Sequence, residues 1–140
     1  MAMDKKELIS LFILAFIDQS SQRYKTCLSD YYDNEQGFPR CVLWDCIKGA
    51  NRVSFQYVLS TVITERHVYC LKDPFCTTAF QDISLFELSG SEAQAFIRSC
   101  DEFEDYYLFD DSFEWTCVVT HEWLENDRRY CLMVDNRIAT

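Results

Sequence analysis

The sequence predicts an α+β protein, with one antiparallel, meander-like sheet of about five or six strands and an N-terminal helix and a second helix packed on one face. The chain has 140 residues, 49% of them hydrophobic, and only 3 Gly and 2 Pro, which is typical of a single globular domain over 1–140. A long apolar stretch with helical character opens the chain. Strand-like runs with short connections fill its second half, and such runs favour antiparallel pairing.

The first helix is predicted to start at Asp4, a suitable N-cap with Glu7 three residues later. From Leu8 to Ile17 (residues 8–17) every position except Ser10 is apolar, so we expect the helix to be covered on nearly all sides. The run is too short to cross a bilayer and lacks the flanks of a signal peptide, so we interpret it as a buried helix without membrane association. Alternatively, the same residues could bury themselves against a second copy of the chain, forming a homodimer.

Turns and short strands are predicted in the middle of the chain. The helical pattern continues past Ile17, either in one long helix or in two helices with a break near Ser20 and Ser21, and it ends in a turn-rich loop at 33–39. β-branched and aromatic residues predict strands at 41–44, 53–63 and 67–71, with a turn at 48–51. In the second of these strands, Val53, Phe55, Tyr57 and Leu59 alternate with other residues.

The second half is predicted to contain a strand at 83–88, a helix capped by Ser91, and strands at 106–109, 113–121 and 129–134. The apolar face of the helix is formed by Ala93, Phe96, Ile97 and Cys100. In the strand at 113–121, a period of two places alternate residues on the core side. Those residues are Phe113, Trp115, Cys117, Val119 and His121.

The charge of the chain is concentrated in one half. The formal net charge is −10, and residues 71–140 hold all of it, because residues 1–70 contain as many basic as acidic residues. Self-repulsion of this kind costs stability, so it suggests a use such as steering a basic protein partner. Direct binding to nucleic acid is disfavoured, since that requires a basic face. The alternative interpretation is a surface that only keeps the protein soluble.

The stretch 101–123 interleaves acidic and aromatic residues, and we predict that it forms the partner-binding surface. Charged residues would steer association, and aromatic residues would anchor the complex. A solvated helix end followed by a turn is the simpler structural explanation. The predicted binding residues are Asp101, Glu102, Glu104, Asp105, Tyr106, Tyr107, Asp110, Asp111, Glu114 and Trp123.

Metal and cofactor sites are not predicted. None of the eight cysteines forms a C-x-x-C pair, and we interpret them as reduced thiols in a cytosolic protein. His67, Cys70 and Cys76 do not have the spacing of a standard metal site, and the adjacent Asp110 and Asp111 lack a calcium-loop pattern. No phosphate-binding glycine loop or nucleophile elbow is present.

His121 is the residue on which an enzyme would depend. It ends an apolar row, which favours a structural histidine, although a carboxylate from Asp110, Asp111 or Glu122 could make it an acid–base catalyst. A pocket at the end of this strand would be needed, and complete burial of His121 would exclude it. The zinc motif H-E-x-x-H is not formed, because Glu125 stands where the second histidine is required.

The segments LSGSEAQAFI and YYLFDDSFEWTCVVTHE, within 88–122, resemble a pattern in small bacterial proteins grouped with the immunity proteins of polymorphic-toxin and contact-dependent-inhibition systems. The resemblance implies an acidic, cytoplasmic, non-enzymatic protein that binds a cognate toxin domain and blocks its active site or substrate groove. It defines no catalytic residue. We therefore expect an inhibitor of a basic, nuclease-like toxin domain. The alternatives are a phage- or host-encoded nucleic-acid mimic and a small enzyme using His121.

Overall fold

A computed structural model describes residues 4–26, 43–73, 83–99, 104–124 and 128–137, with the backbone alone at 123, 124 and 128. The strands form one open antiparallel sheet in the order β1-β6-β5-β4-β2-β3, which confirms the predicted α+β class. In chain order the elements are α1 (Lys5–Phe16), α2 (22–26), a 3₁₀ helix (Leu43–Cys46), β1 (Asn51–Val53), α3 (Phe55–Val62), β2 (Val68–Lys72), β3 (Leu85–Leu88), α4 (Gly90–Ser99), β4 (Tyr106–Phe109), β5 (Trp115–Leu124) and β6 (Arg128–Asp135).

Five of the predicted strands are present as β2 to β6. The predicted meander is present in β4, β5 and β6, which follow one another both along the chain and across the sheet. At one edge β3 pairs with β2, and β2 pairs with β4, while β1 pairs with β6 at the other edge. The short β4–β5 connection fixes the register of this central pair, in which Phe109 lies opposite Thr116.

Helices cover both faces of the sheet, so the prediction that they pack on one face is wrong. On the first face, the ring of Phe12 in α1 lies 5.2 Å from that of Tyr107 and 4.8 Å from that of Phe109. On the second face, α3 and α4 pack against alternate residues of the same strands, including Leu108 and Cys117. All four residues of β4 are buried, which is the pattern of a strand covered on both sides.

α1 begins as predicted, because the carboxylate of Asp4 accepts a hydrogen bond from the backbone N–H of Glu7 at 2.8 Å. Only one face of the helix is buried, however. Phe12 and Phe16 are in the core, whereas Leu14 is 64% exposed, so the expectation of cover on nearly all sides is wrong for the described part of the chain. Among the described residues, none of the helices combines the length and apolar character that crossing a bilayer requires.

Most of the predicted strand at 53–63 is a helix, α3 (Phe55–Val62), so the prediction is wrong there. β1 ends at Val53, and the hydroxyl of Ser54 accepts a hydrogen bond from the backbone N–H of Tyr57, which caps α3. The residues that α3 buries are Val58, Leu59 and Val62, at helical spacing. Tyr57, which belonged to the predicted alternating row, is 46% exposed. The helical spacing of the apolar residues therefore determined the secondary structure of this segment, despite its β-branched composition.

The predicted strand at 41–44 is also wrong where it is described, because Leu43 begins the 3₁₀ helix. This segment pairs with the end of α1 rather than with the sheet. The backbone N–H of Asp18 donates to the carbonyl of Cys46 at 2.8 Å, and the N–H of Lys48 donates to the carbonyl of Phe16 at 2.8 Å. The break predicted near Ser20 and Ser21 is present, since α1 ends at Phe16 and α2 begins at residue 22.

The cap of α4 is Ser89, not the predicted Ser91. The hydroxyl of Ser89 accepts a hydrogen bond from the backbone N–H of Glu92 at 3.2 Å, and the Glu92 carboxylate accepts from the N–H of Ser89 at 2.9 Å. This reciprocal pair is a complete capping box. Of the predicted apolar face, Ala93 and Ile97 are buried, while Cys100 lies outside the described residues.

α4 begins in close contact with the end of α3. A Cβ atom built on Gly90 would lie 2.2 Å from the carbonyl oxygen of Glu65 and 2.5 Å from that of Val62. Both atoms belong to the backbone, so neither can turn away. The position therefore requires glycine because of space.

We predict that Gly90→Ala lowers the free energy of unfolding by about 1–3 kcal/mol, because overpacking forces the two helices apart. Urea denaturation followed by circular dichroism measures this change. Ser91→Ala is the matched control, since Ser91 is an exposed residue of the same helix turn. Equal stability of the two variants would contradict the close approach of α3 and α4.

Candidate functional site

The acidic and aromatic residues predicted as one binding surface are divided between the interior and the exterior. Tyr107 is fully buried, Tyr106 is 6% exposed and Asp105 is 8% exposed, so these three are corrected to core residues. Glu104 is half-buried. On the outside, Asp110 is partly exposed and Asp111 and Glu114 are exposed, while Asp101, Glu102 and the side chain of Trp123 lie outside the described residues.

The buried part of this stretch contains a network of carboxylates. The Asp73 carboxylate, on a residue only 1% exposed, accepts hydrogen bonds from the hydroxyl of Tyr107 and, at 2.9 Å, from the backbone N–H of Leu43. The backbone N–H of Asp73 donates to the carbonyl of Asp105 at 2.9 Å. Burial, together with the negative charge of Asp73, raises the pKa of Tyr107 well above its usual value, so its hydroxyl remains a donor.

Asp105 accepts hydrogen bonds from three donors. Its Oδ1 atom accepts from the indole N–H of Trp44 at 3.0 Å and from the backbone N–H of His121 at 2.7 Å. The Nδ1 atom of His121 lies 2.9 Å from Oδ1 and 3.0 Å from Oδ2 of the same carboxylate. The His121 side chain is 41% exposed and that of Asp105 only 9%, so a buried carboxylate supports a solvent-facing imidazole.

The prediction that Asp110, Asp111 or Glu122 would supply the partner of His121 is therefore corrected to Asp105. The register between β4 and β5 explains this pairing. The two strands are antiparallel and Tyr106 lies opposite Val119, so Asp105 and His121 lie at the same end of the sheet. β5 also has an irregularity between Val119 and Trp123. Bulges of this kind redirect side chains and are common beside functional sites.

Glu104 is held by its own partners. Its carboxylate accepts a hydrogen bond from the Lys72 ammonium at 2.8 Å and another from the hydroxyl of Tyr106. Burial alone would raise the pKa of Glu104, but these two hydrogen bonds outweigh it and hold the pKa below its usual value. The guanidinium of Arg129 donates to the Glu104 carbonyl at 2.8 Å, so the start of β4 is tied to β6.

The acidic residues that face solvent lie at the β4–β5 turn. We call Asp110, Asp111 and Glu114 the acidic turn. The Asp110 carboxylate accepts a hydrogen bond from the backbone N–H of Ser112 at 3.0 Å. Phe113 has a φ of +54°, and its ring lies 5.7 Å from that of Phe109. Within the described ranges, no lysine or arginine forms an ion pair with these three carboxylates.

The acidic turn lies beside a row of residues that crosses three strands. Tyr69 of β2 lies opposite Phe109 on one side and opposite Glu87 of β3 on the other. Burial raises the pKa of Tyr69, and the negative charges of Glu87, Asp111 and Asp110 raise it further. The side chain of Glu87 is 63% exposed, so this end of the sheet presents a negative field to solvent.

The described residues contain neither a metal-binding cluster nor an exposed thiol. Over the part of the chain that the structure describes, no three His, Cys, Asp or Glu side chains come together in a way that could hold a metal ion. Cys46, Cys70, Cys117 and Cys131 are buried thiols. Burial raises the pKa of Cys117 well above its usual value, which makes it a core residue and not a nucleophile.

Comparisons of the chain with protein-family models, with curated proteins and with solved structures found no match. The residues themselves are therefore the evidence for function. Two groups stand out, the acidic turn at the start of β5 and the pair formed by Asp105 and His121 near its end.

We predict that Tyr107→Phe lowers the free energy of unfolding by about 1–3 kcal/mol, because the buried carboxylate of Asp73 loses a hydrogen-bond donor. Urea denaturation measures the change. Tyr57→Phe is the matched control, since Tyr57 is 46% exposed. A loss in Tyr107→Phe no larger than in the control would show that the hydroxyl does not stabilise Asp73.

Proposed function

We propose that this chain is an acidic, protein-binding inhibitor, an immunity protein that neutralises a basic, nuclease-like toxin domain by occupying its active site or substrate groove. The observation that supports this most directly is the acidic turn, three carboxylates without a basic partner among the described residues. The net charge of −10 agrees with such a role.

Burial and ion pairing support a smaller binding surface than the one that the sequence suggested. A carboxylate touches a basic partner directly only if it faces solvent, and it attracts that partner most strongly if no basic residue is already paired with it. Asp105 is buried and Glu104 is paired with Lys72, so neither meets both conditions. Asp111 and Glu114 meet both conditions, and we assign the principal contact to them and to Asp110.

A basic groove that binds a nucleic-acid backbone is complementary to closely spaced carboxylates. Charge complementarity of this kind accelerates association, up to about 10⁸–10⁹ M⁻¹s⁻¹ at low salt. The backbone of the turn is ordered, because the Asp110 carboxylate accepts a hydrogen bond from the backbone N–H of Ser112 and Phe113 packs on Phe109. Ordering the acidic turn before binding reduces the entropic cost of the complex.

We predict that replacing Asp111 by Asn and Glu114 by Gln slows association with the partner about 3- to 10-fold at low salt, because the steering field weakens. The partner is first captured from native lysate on the immobilised protein at low salt and identified by mass spectrometry. Association rates with the purified partner are then measured by stopped flow at two salt concentrations. The double variant should show a smaller salt dependence.

The matched control replaces Glu7 and Glu122 by Gln, which removes the same charge from exposed positions away from the acidic turn. This variant should associate at nearly the unchanged rate. Equal slowing in both double variants would mean that only net charge matters and would contradict the assigned surface. A captured partner whose enzymatic activity continues in the complex would contradict the inhibitor proposal itself.

A further inference from the structure

The imidazole of His121 is held in one orientation by a carboxylate that is itself fixed. Its Nδ1 atom is within 3.0 Å of both oxygens of Asp105. That carboxylate also accepts the backbone N–H of His121 and the indole N–H of Trp44, so it has little freedom to move. A buried, hydrogen-bonded carboxylate beside a histidine is the usual way to fix both the ring position and the tautomer.

The orientation leaves the second ring nitrogen available. When Nδ1–H donates to Asp105, Nε2 of the neutral ring carries the lone pair. Nε2 forms no hydrogen bond with the described residues, and the side chain is 41% exposed. A nitrogen in this state can accept a proton from a bound molecule.

Aromatic side chains lie near the imidazole ring of His121. The ring of Trp44 is 6.2 Å from that of His121, and the ring of Tyr130 is 5.7 Å from that of Trp44. Trp44 and Tyr130 are only partly buried, and the guanidinium carbon of Arg52 lies 5.5 Å from the centre of the Tyr130 ring. An aromatic face favours a flat ligand. Beside the imidazole, the carboxylate of Asp105 disfavours an anionic ligand.

We infer that His121 is a general base, positioned by Asp105, for an uncharged planar aromatic molecule that stacks on Trp44 and carries an acidic hydrogen. This activity goes beyond partner binding and uses a different part of the molecule. The acidic turn precedes Trp115, at the start of β5, whereas His121 lies near the end of that strand. Failure of one proposal therefore leaves the other unaffected.

The ring opening of nitrobenzisoxazole tests the inference, because this planar, uncharged probe needs only a base. Nε2 takes the proton from the C–H carbon, that electron pair forms the nitrile, and the N–O bond breaks to leave a coloured cyanophenolate. The proton then passes from the imidazolium to water, so no other reactant is needed. We expect saturable turnover by the full chain and a loss of about 10²-fold in kcat in His121→Gln.

His67→Gln is the matched control. His67 is also partly exposed, with its Nδ1 atom 3.3 Å from a carboxylate oxygen of Glu87, but that carboxylate is 63% exposed. An exposed carboxylate does not fix the ring or shield the pair from water, so turnover should be unchanged in this variant. Equal losses in the two histidine variants, or a rate that never saturates, would overturn the inference.

Kinetic constants of further variants and an NMR measurement test the role of Asp105 as a positioning residue. Asp105→Asn should lower kcat at least 10-fold with KM unchanged, whereas Trp44→Leu should chiefly raise KM. Nitrogen-15 NMR of the unmodified protein is independent of any variant's folding. It should show the neutral His121 ring protonated at Nδ1, and a ring protonated mainly at Nε2 would overturn the inference.

Discussion

Because β2, β4 and β5 lie between two layers of helices, side chains on both sides of these strands must be accommodated in a core. α1 and the 3₁₀ helix cover one face, and α3 and α4 cover the other. Apolar residues satisfy this requirement directly, as in Tyr106–Phe109, where all four residues are buried. Solvent-facing chemistry is therefore confined to the ends of these strands, where the acidic turn and His121 both lie.

Burial on both faces also explains why the interior carboxylates are so fully hydrogen-bonded. An isolated charge in a core costs several kcal/mol, so a buried aspartate is retained only with partners. Asp73 takes donors from Leu43 and Tyr107, and Asp105 takes donors from Trp44 and His121. These bonds join the 3₁₀ helix to the sheet. The 3₁₀ helix, which begins in the segment predicted to be a strand, is thereby positioned next to the imidazole of His121.

The sequence was sufficient for the features that depend on local pattern. Fold class, most of the strands and the cap at Asp4 follow from composition, alternation and turn residues. It failed where two patterns coexist, as at 53–63, where β-branched residues suggested a strand and the spacing of Val58, Leu59 and Val62 required a helix. It also failed for long-range pairs. Nothing local indicates that Asp105 faces inward to His121, since that depends on the β4–β5 register.

Net charge alone is a poor measure of what a partner encounters. The value of −10 counts Asp73 and Asp105, which are buried and cannot touch a partner, equally with exposed carboxylates. It also counts Glu65 and Asp135, which share the guanidinium of Arg137 at 2.6 Å and 3.0 Å. The field that reaches solvent comes from carboxylates without such partners, and among the described residues the acidic turn is a compact group of this kind. Position and pairing, rather than the number of acidic residues, therefore determine where a basic molecule would be drawn to this protein.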